Sequence, residues 1–238
     1  MRVARLGSLQ VRLVGGTDRE GGGDGPVVVL LHGFGAPGDD LVPLWRVMDV
    51  PREVRFVFPA APHELSMGLG ESRAWWHLDT QKVEQALAQG VARDVSSERP
   101  EELDAALAAV DGMLAAVIDE LRPSSLVLGG FSQGAMLSLG CALHTTRPLA
   151  GLILMSGALL DAYGWVPRML ARKGLPVLQS HGRADPLLSF EAAERLRDDL
   201  TGAGLEVTWI AHRGGHEIPP PVLDAAGAFI TRVTRPAD

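Results

Sequence analysis

The sequence predicts an α/β protein built on a mostly parallel central sheet. Apolar runs of strand length alternate along the chain with longer amphipathic stretches, as in strands joined by crossover helices. The runs are continuously apolar, which suits strands buried on both faces of a parallel sheet. With 238 residues, 46% of them hydrophobic and 21% charged, the chain can bury a large core. We expect one domain over residues 1–238.

The strands are predicted from runs rich in β-branched and aromatic residues that end at glycine or proline. The first two runs, "RVARLG" and "LQVRLVG", predict an antiparallel hairpin at one edge of the sheet. The remaining strands are predicted at residues 26–33, 54–60, 124–130, 149–157, 175–182 and 205–212.

Three helices are predicted with clear boundaries. Residues 99–121 begin with Pro100 and a first turn rich in acids, both favourable at a helix N-terminus. Residues 189–204 have Ser189 as a possible N-cap and glycines at the end, and residues 220–233 close the chain.

One serine lies in a pattern typical of a nucleophile. Residues 130–134, "GFSQG", fit G-x-S-x-G between a predicted strand and a helical stretch. In such an elbow the flanking glycines, here Gly130 and Gly134, leave room for a tight turn that exposes Ser132. A phosphate-binding loop would need Gly-Lys-Ser/Thr at its end, and "GAM" follows instead.

A serine nucleophile needs a base and an acid, which on this kind of fold follow it in the order acid, then histidine. We expect His216 as the base, because "HRGGHEIPP" is a glycine-rich loop after the last strand. Asp185, in "HGRADPLL", is the expected acid, whereas Asp161 is better explained as a helix cap. His212 is four residues before His216, but the glycines between them argue against a helical metal pair, so no metal is expected.

The negative charge that develops during acyl transfer needs fixed N–H donors. The amide of Gln133, next to the serine, is one expected donor. The other is the amide of Phe34 in "LLHGFG", a loop that follows an early strand. We expect His32 to brace that loop by hydrogen bonding.

Several motifs in order resemble the phospholipase/carboxylesterase family of α/β-hydrolases, which includes acyl-protein thioesterases. They are "LLHGFG", "FPAAP", "RAWWHLD", "GGFSQGAM", "LQSHGRADPLL" and "GGHEIPP". The resemblance implies an α/β-hydrolase fold and a serine esterase without cofactor. It matches Ser132, Asp185 and His216 to the family triad, and Phe34 and Gln133 to its oxyanion donors. The chain departs from the family pattern at Ala135, where a second glycine is frequent, and over residues 62–98.

Residues 62–98 show no strong periodicity, and a stretch of that length is usually functional or disordered. We expect it to fold over the site and to supply substrate contacts. The expected contacts are Met67, Leu69, Trp75 and Trp76, with one tryptophan packed inward and the other lining the acyl pocket, and Trp165, Leu187 and Leu188 on the opposite wall.

Composition limits the partners. The net charge of −7, from 22 basic and 29 acidic residues, argues against nucleic acid or an anionic membrane as the main partner. The single cysteine, Cys141, excludes an intrachain disulfide. Without an apolar run of ~18 residues or a secretory signal, we expect a cytoplasmic protein with a small-molecule ester substrate. A homodimer is possible.

The sequence therefore predicts a serine carboxylesterase for short- to medium-chain esters, with thioesters and lysophospholipids as further candidates. An acyltransferase or a peptidase on the same elbow is the alternative, since the fold does not determine the chemistry. A non-catalytic binding module is disfavoured because all three triad positions are filled.

Overall fold

A nine-stranded mixed sheet forms the centre of the protein in a computed structural model that describes residues 1–66 and 70–235. The strands are β1 (Arg2–Leu6), β2 (Leu9–Gly16), β3 (Glu20–Gly22), β4 (Val27–Leu31), β5 (Arg55–Pro59), β6 (His63–Glu64), β7 (Arg73–Ala74), β8 (Leu126–Phe131), β9 (Gly151–Met155), β10 (Pro176–Gly182) and β11 (Glu206–His212). Strands β6 and β7 form a separate two-stranded sheet.

The spatial order of the main sheet is β1-β2-β5-β4-β8-β9-β10-β11, with β3 paired to β2. Strands β5 to β11 of this path run parallel, and β2 is antiparallel to both β1 and β5. The predicted α/β class and the N-terminal edge hairpin are confirmed.

The helices are α1 (Thr80–Ala88), α2 (Leu103–Ala116), α3 (Gln133–His144), α4 (Ala162–Met169), α5 (Phe190–Gly202) and α6 (Pro220–Thr234). Helix α2 begins later than predicted and continues as a π-helical turn, Val117–Leu121. Ser189 caps α5 by accepting a hydrogen bond from the Ala192 amide. Asp161 caps α4 through the Gly164 amide, as its sequence context suggested.

The apolar core lies on both faces of the sheet. All residues of β4, β5 and β9 are buried, in agreement with the continuously apolar runs that predicted them. Helix α3 is equally enclosed, because every residue except His144 at its end is buried. Cys141 lies on this helix as a buried free thiol, and burial raises its pKa.

The region from 62 to 98 contains more regular structure than its sequence predicted. Besides β6 and β7 it holds α1, a nine-residue helix none of whose residues is buried. Its few apolar residues, such as Val83 and Leu87, make a weak helical pattern, which explains why it was missed. The chain then rejoins the fold at Arg93, whose amide donates to the Leu187 carbonyl. Met67 and Leu69 lie outside the described residues.

None of the helices formed within 1–66 and 70–235 is both long enough and apolar enough to cross a membrane.

A buried arginine secures the edge of the sheet opposite the carboxyl ends of the strands. Arg55, 1% exposed, donates to the carbonyls of Gly23, Gly25 and Leu121 at 2.6 to 2.8 Å. It thus ties β5 to the loop before β4 and to the end of the α2 segment.

We predict that Arg55→Met lowers the free energy of unfolding by about 3 kcal/mol, because the three hydrogen bonds that this buried charged donor makes to backbone carbonyls are lost. Urea denaturation measures the change. Arg52→Met, at an exposed position three residues earlier, is the matched control and should change stability by less than about 0.5 kcal/mol. Equal effects of the two substitutions would contradict the assigned role.

Candidate active site

Ser132 lies on a strained turn between β8 and α3. Its backbone has φ 55° and ψ −119°, a region that residues other than glycine rarely adopt. The Ser132 amide donates to the Met155 carbonyl at 2.9 Å, and the Ser132 carbonyl accepts from the Ala135 amide at 3.0 Å. These bonds hold a conformation that the isolated chain would avoid.

The two glycines around this turn are required by space. A Cβ atom on Gly130 would lie 2.5 Å from the Gly134 carbonyl carbon. A Cβ atom on Gly134 would lie 2.1 Å from the Leu31 carbonyl oxygen at the end of β4. Since neither contact can be relieved by turning a side chain, any larger residue would displace backbone.

The three residues expected to form a triad are brought together by three loops at the carboxyl ends of strands. His216 Nε2 lies 2.8 Å from Ser132 Oγ, and His216 Nδ1 lies 2.7 Å from Asp185 Oδ2. Both distances are hydrogen-bond distances. The arrangement can remove the serine proton and hold the imidazole in one tautomer.

Asp185 is buried but remains suited to carry a negative charge. Its other oxygen, Oδ1, accepts hydrogen bonds from the Leu187 and Leu188 amides at 2.8 and 3.0 Å. Burial pushes the Asp185 pKa upward, but the hydrogen bond from His216 and these two amides outweigh burial and lower the pKa. His181, fully buried, lies 3.3 Å from Asp185 Oδ2, and burial lowers the pKa of His181.

Residues 32–36, which we call the oxyanion loop, follow β4 and border Ser132. Gly33 and Phe34 line the same cavity as Ser132 and Gln133. Gln133 is the first residue of α3, so its amide has no intrahelical acceptor. Among the described residues the Phe34 amide donates to no backbone carbonyl. Neither amide therefore has a backbone acceptor in the described part of the chain, as is expected of oxyanion donors.

His32 braces the oxyanion loop from within the protein. Its Nδ1 donates to the Gly33 carbonyl at 2.7 Å, and its Nε2 accepts from the Ala61 amide at 2.9 Å. Burial lowers the pKa of His32 to about 4, so the ring is neutral at physiological pH. The accepting nitrogen requires this neutral form.

A cavity of about 670 Å³ is lined by Ser132 and His216. Its apolar lining includes Trp76, Val95, Met136, Leu160, Leu187 and Leu188. Three of these, Trp76, Leu187 and Leu188, were predicted to contact substrate. Val95, Met136 and Leu160 were missed, although Met136, one turn after Ser132 on the predicted helix, could have been identified from that spacing.

Trp75 and Trp165 do not line this cavity, which corrects their predicted role in substrate binding. Trp75 is fully buried and donates its indole N–H to the His32 carbonyl at 2.9 Å. Trp165, 1% exposed, packs against α3, where a Cβ on Gly140 would lie 2.7 Å from its ring. Of the tryptophan pair, Trp75 packs inward and Trp76 borders the cavity.

Two further downstream histidines, His144 and His212, make no hydrogen bond to Ser132, Asp185 or His216. His144, at the exposed end of α3, donates to the Gly140 carbonyl. His212 ends β11, and burial lowers its pKa. In the part of the chain that the structure describes, no three His, Cys, Asp or Glu side chains are grouped to hold a metal ion.

Residues 21–234 match the family model described as phospholipase/carboxylesterase. The chain belongs to the phospholipase/carboxylesterase family. It is 29% identical over 218 residues to acyl-protein thioesterase 1 of Gibberella zeae, covering 88% of this chain and 91% of that relative. It is 31% identical over 213 residues to a probable carboxylesterase of Oryza sativa subsp. japonica, covering 85% and 76%.

Solved structures agree with the family assignment. Esterase PE8 matches with a TM-score of 0.76 and 27% identity over 94% of this chain and 99% of that one. SOBER1 of Arabidopsis thaliana, with a TM-score of 0.71 at 23% identity over 89% of this chain and 100% of that one, shares the fold. The α/β-hydrolase fold and the phospholipase/carboxylesterase family are confirmed, and the protein is a hydrolase.

The lowered pKa of His32 predicts that the free energy of unfolding depends on pH. The His32 pKa is about 4 in the folded protein and 6.5 ordinarily, so between these values the unfolded chain binds more protons. The contribution of His32 to stability is therefore complete above pH 6.5 and declines as the pH falls to 4, by about 3 kcal/mol in all.

His32→Gln keeps an acceptor near Ala61 but cannot titrate. Urea unfolding of both proteins from pH 4 to 7 should show that the wild type loses its advantage over the variant on acidification. A stability difference that stays constant across this range would contradict the assignment.

Proposed function

We propose that the protein is a serine carboxylesterase that hydrolyses short- to medium-chain carboxylic esters through an acyl-enzyme intermediate. The observation that carries the proposal is the unbroken hydrogen-bonded path from Asp185 through His216 to Ser132 beside a largely apolar cavity. The strained backbone of Ser132 supports it, because strain of this kind is concentrated at functional positions.

In the first half of the reaction, His216 Nε2 takes the proton from Ser132 Oγ as that oxygen attacks the ester carbonyl. The carbonyl oxygen becomes an oxyanion, which accepts hydrogen bonds from the Phe34 and Gln133 amides. The ionised Asp185 stabilises the imidazolium and keeps Nδ1 protonated.

The His216 imidazolium then protonates the leaving alcohol or thiol as the tetrahedral intermediate collapses to an acyl-serine, which completes the first half. In the second half, a water molecule enters, loses its proton to His216 and attacks the acyl carbon. Collapse of this second intermediate releases the carboxylic acid, and Ser132 recovers its proton from His216.

The cavity lining supports a substrate with an apolar chain. Trp76, Met136, Leu160 and Leu188 are among its walls, and apolar walls favour hydrocarbon. Charged side chains of both signs also line the cavity: Lys82, Arg93 and Arg99 with Asp79, Glu84 and Glu98. These charged side chains suit a polar leaving group. Because the Gibberella relative is named an acyl-protein thioesterase, thioesters are the second substrate class to test.

Ser132→Ala should lower kcat/KM for a short-chain p-nitrophenyl ester by about 10⁴-fold or more, because the nucleophile is lost. Labelling by a fluorophosphonate probe should disappear while the circular dichroism spectrum is unchanged. Ser138→Ala removes a buried serine of α3, six residues after Ser132, and should retain both activity and labelling. Turnover that survives in Ser132→Ala would refute the proposed mechanism.

Trp76→Leu should shift the chain-length profile toward longer acyl chains, because it enlarges the cavity. Each additional buried methylene contributes about 0.8 kcal/mol, roughly a four-fold gain in kcat/KM. The ratio of kcat/KM for long and short p-nitrophenyl esters measures the shift. Trp165→Leu is the control, because Trp165 is equally buried but lies away from the cavity, and it should leave the ratio unchanged. A shift in both variants, or in neither, would exclude Trp76 as a wall of the acyl site.

A further inference from the structure

The side chain of Gln133 has a function of its own in addition to the backbone amide beside Ser132. It is 2% exposed, and both of its polar atoms are used within one short segment. Oε1 accepts from the Trp75 amide at 2.8 Å, and Nε2 donates to the Trp76 carbonyl at 2.9 Å. The first residue of α3 is thus bonded to the chain that follows β7.

Trp75 carries this connection onward to the oxyanion loop. Its indole N–H donates to the His32 carbonyl at 2.9 Å, and the two rings lie 5.5 Å apart between centroids. The indole is fully buried and does not border the cavity. It contacts the protein rather than any substrate.

Backbone hydrogen bonds fix the other end of the oxyanion loop to the same segment. The Gly35 amide donates to the Arg73 carbonyl at 2.8 Å, and the Arg73 amide donates to the Ala36 carbonyl at 2.9 Å. Phe34 therefore lies between two attachment points, His32 on one side and Gly35 on the other. Both are held by residues 73–76, which we call the brace.

The two amides proposed to bind the oxyanion come from distant parts of the sequence, Phe34 after β4 and Gln133 at the start of α3. The brace contacts both: it bonds the oxyanion loop directly and the side chain of Gln133 through Trp75 and Trp76. We propose that Trp75 and the Gln133 side chain are positioning residues that set the relative placement of these two amides. This inference rests on the proposed esterase function.

A positioning role and a purely packing role of the brace predict different kinetics. An oxyanion donor acts on the transition state, and loss of a donor lowers kcat by about 10²- to 10³-fold. A displaced donor should therefore lower kcat for esters of every chain length. If the brace served only to hold Trp76 as a cavity wall, the effect would depend on chain length and would appear largely in KM.

Gln133→Met tests the side chain, because methionine has a similar length, lacks both polar groups and leaves the backbone amide in place. We expect kcat to fall about 10- to 100-fold for all chain lengths, with KM within about two-fold. Affinity for a trifluoromethyl ketone, which forms a tetrahedral adduct with the serine, should fall in parallel with kcat/KM. Affinity for the product carboxylate should not change.

Gln179→Met is the matched control. Gln179 is also a 2% exposed glutamine, on β10, and its Nε2 donates to the Ala193 carbonyl at 2.8 Å. It should keep the wild-type kcat. Trp75→Phe is the second variant, which keeps most of the packing and removes the indole donor; we expect a uniform loss of about 10-fold in kcat.

Three results would overturn the proposal: equal effects of Gln133→Met and Gln179→Met, a loss confined to long chains, or wild-type kcat in Trp75→Phe. Trp75→Phe removes the indole N–H and part of the ring but keeps an aromatic side chain in place, so it decides the matter even if Gln133→Met does not fold. Failure of the esterase function would look different, as wild-type protein without Ser132-dependent turnover.

Discussion

The site depends on one close backbone contact, between the end of β4 and the start of α3. There is no room for a Cβ on Gly134 because the Leu31 carbonyl oxygen would lie 2.1 Å away. This contact requires β4 and β8 to be neighbours in the sheet, and they are paired over five residues. The loop after β4 therefore lies beside the turn at Ser132, and both amides proposed for the oxyanion come from this single juncture.

The loops of the proposed acid and base are joined by a comparable contact at another pair of parallel strands, β10 and β11. A Cβ on Gly182, at the end of β10, would lie 2.1 Å from the Gly215 carbonyl oxygen. The Arg183 amide donates to the His212 carbonyl, and the Ala184 amide donates to the Gly214 carbonyl. The loops that carry Asp185 and His216 are thus bonded to each other, so backbone contacts bring the two side chains within reach.

The sequence was informative wherever the signal was local. Continuous apolar runs predicted the strands, and glycines around Ser132 predicted the turn, because sterics at these positions allow few alternatives. The roles of the tryptophans were not local. Adjacent residues such as Trp75 and Trp76 can face opposite sides, and only tertiary contacts distinguish them: Trp75 donates its indole N–H to the His32 carbonyl, whereas Trp76 lines the cavity. Trp165 fits against Gly140, a complementarity between two helices that no pattern in either segment reveals.

The residues beneath the oxyanion loop and those of α1 differ in local stability. His32, Trp75 and Gln133 are buried, and hydrogen bonds connect the segments that carry them. A buried network whose polar groups are all satisfied is rigid. Val83, which also lines the cavity, belongs to α1, a helix without a buried residue. Segments with few buried contacts have low local stability. We therefore expect substitutions on α1 to change which chains enter the cavity, whereas loss of the Trp75 indole or of the Gln133 side chain should lower kcat for every substrate.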